Sequence, residues 1–93
     1  MYKLKLTTKF KKDLKKIKYN SKDYDLVKSV LITLNIKGVE GIDVNMKPHK
    51  LKGNYKENWE CHIKPDLLII WFQIETPMTI ILIRIGSHSE LFK

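Results

Sequence analysis

The side chains able to move protons or hold an anion fall in the second half of the chain. His49 follows Pro48, His62 lies in Trp59-Glu60-Cys61-His62-Ile63-Lys64, and His88 comes just past Arg84-Ile85-Gly86. Histidine is the side chain best suited to proton transfer near neutral pH. Asp66 stands four residues after His62, and Phe92 is an aromatic ring beside the chain end, where good burial is hard to achieve. Arg84 interrupts the apolar run Ile80–Ile85, where an unpaired charge is costly. Either a carboxylate such as Asp66 or Glu60 satisfies it, or it waits for an anionic ligand. If the strand ends meet, His49, His62, Asp66, Arg84 and His88 ring one cleft and combine proton transfer with anion binding. Taken singly, each has a plainer reading. A histidine at a strand end is ordinarily a surface residue, and Pro65-Asp66 is ordinary turn chemistry. Phe92 offers a stacking surface for a nucleobase, whereas Trp59 and Trp71 read as core.

The elements that must position these residues follow from hydrophobic periodicity. Lys3-Leu4-Lys5-Leu6 alternates with period two, a short first strand. Thr7 or Thr8 then caps a helix whose stripe is Phe10, Leu14 and Ile17, set among Lys9, Lys11, Lys12, Lys15, Lys16 and Lys18. A second helix starts near Asn20-Ser21, with Asp23 placed favourably against its dipole. It buries Tyr24, Val27, Val30, Leu31 and Leu34 and stops at Gly38. The short link predicts an antiparallel hairpin. Residues 38–48 lack periodicity and read as a loop. Trp59, Cys61 and Ile63 face one side of a strand, and Glu60, His62 and Lys64 the other. Leu67–Ile74 and Thr79–Ile85 read as strands buried on both faces, separated by Thr76-Pro77; Gly86 ends the second and leaves a tail from Ser87 to Lys93. The expected fold is α+β, in the order β-α-α-β-β-β. An N-terminal strand and an antiparallel helical hairpin pack on a small, mostly antiparallel sheet, as one domain over residues 1–93.

Composition narrows the function. Ninety-three residues support one core, and 43% apolar residues suffice for it. The net charge of +8 is uneven: residues 1–37 hold eleven lysines against three aspartates, while the remainder balances. Such a field attracts polyanions through counterion release, although a lysine face can also serve solubility alone. The single cysteine, Cys61, excludes an internal disulfide and a four-cysteine zinc site, and fits a reducing, intracellular compartment. Cys61 and His62 face opposite sides of their strand, so no metal site and no cofactor are expected. No glycine-rich phosphate loop occurs. Met1–Leu6 is positive without a following apolar region, so no signal peptide is expected. The run Leu67–Phe72 falls far short of the roughly 20 residues of a membrane span.

Three segments carry a family resemblance. Pro48-His49-Lys50-Leu51-Lys52-Gly53, Glu60-Cys61-His62-Ile63-Lys64-Pro65-Asp66-Leu67-Leu68 and Arg84-Ile85-Gly86-Ser87-His88-Ser89-Glu90-Leu91-Phe92 together resemble the YafQ branch of the RelE/ParE toxin superfamily. The pattern is specific as a set, and the lysine-rich hairpin precedes the sheet as in that family. The resemblance implies a RelE-like fold and a cytoplasmic toxin of a type II toxin–antitoxin system. The activity it implies is ribosome-dependent endoribonuclease action, an mRNA interferase that cuts in the A site and inhibits translation. The functional positions carried over are His49, His62, Asp66, Arg84, His88 and Phe92, with no metal. Lys9, Lys11, Lys12, Lys15, Lys16 and Lys18 would contact ribosomal RNA. The partners implied are an acidic antitoxin, the ribosome and mRNA, with DNA reached only through the antitoxin and no membrane. Leu67 stands where some relatives carry tryptophan. Two other functions compete: a ParE-type gyrase poison, which needs no proton-transfer residues, and a non-catalytic RNA- or ribosome-binding protein, for which the lysine field suffices.

Overall fold

A computed structural model describes residues 1–92. The alternating N-terminal segment forms β1 (Lys3–Leu6). Thr7 caps α1 (Thr8–Ile17): its hydroxyl oxygen accepts the Phe10 N–H at 3.2 Å, and the hydroxyl donates to the Leu82 carbonyl at 2.8 Å. One side chain thus starts the helix and pins it to the sheet. Phe10 is fully buried, Leu14 and Ile17 pack on the core behind it, and the six lysines of the basic run are exposed. Asn20 caps α2 (Ser21–Lys37) by accepting the Asp23 N–H at 3.1 Å. Val27, Val30 and Leu34 are buried, with Tyr24 and Leu31 half-buried beside them. Gly38 ends the helix at φ 65°, where a Cβ would stand 2.7 Å from the Tyr2 ring.

The sheet contains β2 (His49–Lys50), β3 (Trp59–Lys64), β4 (Leu67–Glu75) and β5 (Met78–Gly86) besides β1, in the order β1-β5-β4-β3-β2. β1 runs parallel to β5, and every other pairing is antiparallel. α1 and α2 cover one face. There Phe10, Val27, Val30 and Leu34 meet Cys61, Ile63, Ile69, Trp71, Ile80, Leu82 and Ile85. The opposite face has only a small cluster, in which Leu68, Ile70 and Leu91 pack with Leu51, Tyr55 and Ile83. That asymmetry leaves room for polar residues on the second face.

Three features depart from the periodicity reading. The stretch 38–48 holds two 3-10 turns, Gly38–Gly41 and Val44–Met46, and leads directly into β2, a fifth strand too short to leave a pattern. The tail forms a helical turn, α3 (His88–Leu91), while Lys93 lies outside the described residues. Two-sided burial of β4 holds for Leu67–Trp71 but fails at Phe72, which is 37% exposed because the small cluster ends before it. No helix among the described residues is long and apolar enough to cross a membrane.

Phe10 is the one fully buried side chain of α1. Phe10→Ala should lower unfolding free energy by about 3–5 kcal/mol, read by urea denaturation. A drop below about 1 kcal/mol, well under the usual cost of such a truncation, would mean that α1 is held by its cap and not by its packing.

Candidate active site

Strand register builds the site on the face away from the helices. His49 pairs with Glu60, Glu60 with Ile70, and Ile70 with Arg84, one row across four strands. The next row is His62, Leu68 and Gly86. Paired residues share a face, and it is the face opposite Cys61, Ile69 and Ile85 of the helix-covered core. Strand spacing puts the His49 and Arg84 backbones about 14 Å apart, three strand widths.

At the β2–β3 end two imidazoles meet one carboxylate. His49 Nε2 lies 3.3 Å, and His62 Nε2 3.7 Å, from the same oxygen, Glu60 Oε1, and the two ring centroids are 6.4 Å apart. The Glu60 side chain is only 6% exposed, and its Oε2 is buried without a hydrogen-bond partner. Leaving a carboxylate oxygen in that state is costly and uncommon outside functional sites. His49 Nδ1 lies 2.7 Å from the Lys47 carbonyl. A carbonyl only accepts, so Nδ1 carries hydrogen and Nε2 is the nitrogen free to exchange a proton. A bare Nε2 and a carboxylate oxygen would repel at 3.3 Å; the contact becomes favourable when a proton sits between them. Lys47 holds its carbonyl there from a left-handed conformation, φ 53°, that residues other than glycine seldom adopt. Among the described residues no three histidine, cysteine, aspartate or glutamate side chains are arranged to hold a metal ion.

At the β5 end α3 folds back so that Leu91 lands on Leu68 and Ile70. Ser87 and Glu90 form a capping box: the Ser87 hydroxyl accepts the Glu90 N–H, and a Glu90 oxygen accepts the Ser87 N–H at 2.8 Å. Asp66, in the β3–β4 turn, accepts the His88 backbone N–H at 3.0 Å and ties the two ends together. The His88 ring lies tilted on Phe92, centroids 5.0 Å apart, and Phe92 meets Tyr55 edge-on at 5.6 Å. Tyr55 in turn donates to the Leu91 carbonyl at 3.3 Å. Phe92, 38% exposed, thus packs against His88 on one side and Tyr55 on the other.

Arg84 has a carboxylate partner, and it is neither Asp66 nor Glu60. Its Nε donates to Asp13 Oδ2 at 2.7 Å and its Nη2 to Asp13 Oδ1 at 3.2 Å. Asp13 holds the guanidinium proton more firmly than usual, with a smaller contribution from Tyr55. The structure places the predicted residues in separate groups and not around one cleft: His49 with His62 at Glu60, His88 with Phe92 and Asp66, and Arg84 with Asp13 of α1. Leu68, Ile70 and Leu91 fill the space between the groups as an apolar floor. In the sequence Glu60 stands out only as a possible carboxylate for Arg84, and Asp13 and Tyr55 not as part of the site. Asp13 left a readable signal, because, three residues after Phe10 and four before Ile17, it lies at the edge of the apolar stripe of α1. Cys61 is buried, and burial pushes its thiol up to about 12, which leaves it unsuited to nucleophilic chemistry.

A helical hairpin on one face of this five-stranded, mostly antiparallel sheet is the architecture of RelE-like toxins. Residues 2–93 match the family described as bacterial toxin of type II toxin-antitoxin system, YafQ, and the chain belongs to that family. The mRNA interferase toxin YafQ of Escherichia coli (strain K12) is 30% identical over 89 residues, covering 96% of this chain and 83% of that protein. A metal-bound toxin from Helicobacter pylori superposes with a TM-score of 0.85 at 39% identity, over 99% of this chain and all of that one. A chain from an E. coli DinJ-YafQ complex superposes with a TM-score of 0.82 at 26% identity, over the whole of both chains.

The capping box gives α3 a defined response to acid. Hydrogen bonds from the Ser87 backbone and hydroxyl hold the Glu90 carboxyl below its ordinary range. A lowered folded-state value means that this anchoring is fully present above the ordinary glutamate value, about 4.3, and is lost as pH falls through the lower folded value. The NMR signals of Ser87 and His88 should therefore shift together as pH falls below the ordinary glutamate value, and Glu90→Ala, which removes the acceptor, should show the loosened state at neutral pH. Unchanged signals in that variant would show that Leu91, Asp66 and Tyr55 hold α3 without the capping box.

Proposed function

We propose that this chain is the endoribonuclease of its toxin–antitoxin pair, an mRNA interferase that cuts messenger RNA in the ribosomal A site with the RNA's own 2′-hydroxyl as nucleophile. The observation that carries the reading is the convergence of His49 and His62 on the buried, half-satisfied Glu60 carboxylate. His88 emerges from the strand end two positions past Gly86, which shares the His62 row. The His62 and Gly86 backbones are two strand widths, about 10 Å, apart, and His49 stands one strand further out, so the base and the acid approach a single phosphate from opposite sides.

His49 Nε2 takes the proton of the 2′-hydroxyl, and the 2′-oxygen forms a bond to phosphorus. The bond from phosphorus to the 5′-oxygen breaks, and His88 gives that oxygen its proton. The products are a 2′,3′-cyclic phosphate and a 5′-hydroxyl; His49 ends protonated, His88 deprotonated, and water restores both. Glu60 faces the imidazolium formed on His49, and a fixed carboxylate stabilises that charge where it develops. His62 shares the same oxygen and orients the pair. Asp66 fixes the start of α3 and with it His88, while Phe92 supports the His88 ring and keeps an exposed edge for a base. Arg84 neutralises charge on the phosphorane. Lys9, Lys11, Lys12, Lys15, Lys16 and Lys18 form the exposed face that docks on ribosomal RNA in the cytoplasm. The DinJ partner of the structural relative supports an antitoxin partner here, whose acidic segment would cover the basic or catalytic surface.

General acids and bases each contribute about 10²- to 10⁴-fold. His49→Ala and His88→Ala should lose cleavage on that scale while melting near the wild-type temperature, read by 5′-end mapping of messenger RNA after induced expression. Translational arrest at the wild-type level in both variants would refute the assignment. DNA damage without RNA cuts would indicate a gyrase poison, and neither effect a non-catalytic binder.

Charge reversal at Lys11, Lys12 and Lys15 should weaken ribosome binding. It should also flatten the salt dependence, by about one unit of slope for each RNA phosphate that is no longer neutralised. Sedimentation with ribosomes across a salt series measures this. Binding indifferent to both charge and salt would remove the docking role from α1.

A further inference from the structure

Asp13 is the one carboxylate of a helix otherwise filled with lysine, and it is largely buried, at 11% exposure. Its Oδ2 accepts two hydrogen bonds, from Arg84 Nε at 2.7 Å and from the Ile85 backbone N–H at 3.0 Å; Oδ1 accepts Nη2 at 3.2 Å. Three bonds therefore fix Asp13 to two successive residues of β5. A guanidinium has five N–H donors in a rigid fork. Asp13 occupies the side edge, formed by Nε and one Nη2 hydrogen. The end edge, with Nη1 and the second Nη2 hydrogen, is not engaged by Asp13, and two parallel N–H groups match two phosphate oxygens. Lys9, Lys12 and Lys16 join Asp13 and Arg84 in lining one surface pocket of about 310 Å³. A pair serving stability alone gains little from this arrangement, because buried ion pairs are commonly no better than apolar contacts of the same size.

We propose that Asp13 is a positioning residue for the reaction: it locks the side edge of Arg84 so that the end edge meets an RNA phosphate at the mouth of the pocket lined by Lys9, Lys12 and Lys16. The proposal rests on the ribonuclease reading above and adds to it a residue that does not itself touch the substrate. Without Asp13 the guanidinium keeps its charge but swings, and the phosphate loses a fixed partner. The lysines nearby hold the flanking backbone, so binding to the ribosome persists.

The test is single-turnover cleavage of a defined messenger RNA on programmed ribosomes at saturating toxin, with ribosome affinity measured separately. Asp13→Ala should slow the bound-state rate by about 10- to 100-fold, as misplaced catalytic groups do, and leave affinity within about twofold. Asp13→Asn, which keeps an acceptor and the side-chain shape, should fall between the two and serves where Asp13→Ala folds poorly by thermal melt. The double variant Asp13→Ala/Arg84→Ala should be no slower than Arg84→Ala alone, because Asp13 serves the reaction through that arginine. Losses that multiply, a wild-type rate in Asp13→Asn and Asp13→Ala, or a loss confined to affinity would each overturn the proposal. If His49→Ala and His88→Ala remain inactive while the Asp13 and Arg84 losses multiply, the nuclease reading stands and this inference alone fails. Full activity in the histidine variants would remove both.

Discussion

Ile70 sets the register on which the site depends. It pairs with Glu60 on one side and Arg84 on the other, and Glu60 pairs in turn with His49. Side chains alternate along a strand, so a slip of one residue would move Ile70 to the helix-covered face and carry the row with it. Burial prevents the slip: Ile70 fills the small cluster with Leu68 and Leu91, while Ile69 and Trp71 fill the core beneath the helices. An irregularity in β5 lies between the pairs Ile70–Arg84 and Trp71–Leu82, with Ile83 as the extra residue. Such bulges re-aim side chains near functional sites. Here the bulge lets Leu82 and Ile85 both face the core while Arg84 between them reaches the edge and Asp13.

The second face of the sheet carries little apolar cover. Leu51, Tyr55, Ile83 and Leu91 shield Leu68 and Ile70 and nothing more. Around that plug, Glu60 is buried deeply enough for one oxygen to lack a partner, yet it stands within reach of two imidazoles at the rim. A carboxylate in this position holds the imidazoles facing one another and offers each a counter-charge when it takes up a proton. The fold tolerates the cost because the core on the other face is continuous, from Phe10 on α1 to Cys61 on β3.

Much of this scaffold was legible in the sequence, because the long elements repeat their patterns. Phe10, Leu14 and Ile17 mark α1, and the alternation around Cys61 places His62 on the polar face. The site was legible only as a set of residue types. Residues His49 and Lys50 form a strand too short for any periodicity, and it exists only because β3 is there to pair with it. The capping box from Ser87 to Glu90 was present as a local motif, but no apolar run follows to announce a helix; Leu91, Asp66 and Tyr55 anchor it, through tertiary contact. The partner of Arg84 lay 71 residues away on α1, beyond the reach of any local pattern.

That long-range pair shows why the helix and the sheet cannot be treated as separate functional parts. α1 packs Phe10, Leu14 and Ile17 inward and turns its lysines outward, and Asp13 lies at the boundary between the two faces. The packing that buries Phe10 also fixes the height of Asp13 against β5, and so the orientation of the Arg84 guanidinium. A change in how α1 sits on the core would move the basic surface and the arginine together. The lysine face and the arginine are thereby held in one register, with Thr7, bonded both to Phe10 and to Leu82, as the joint between them.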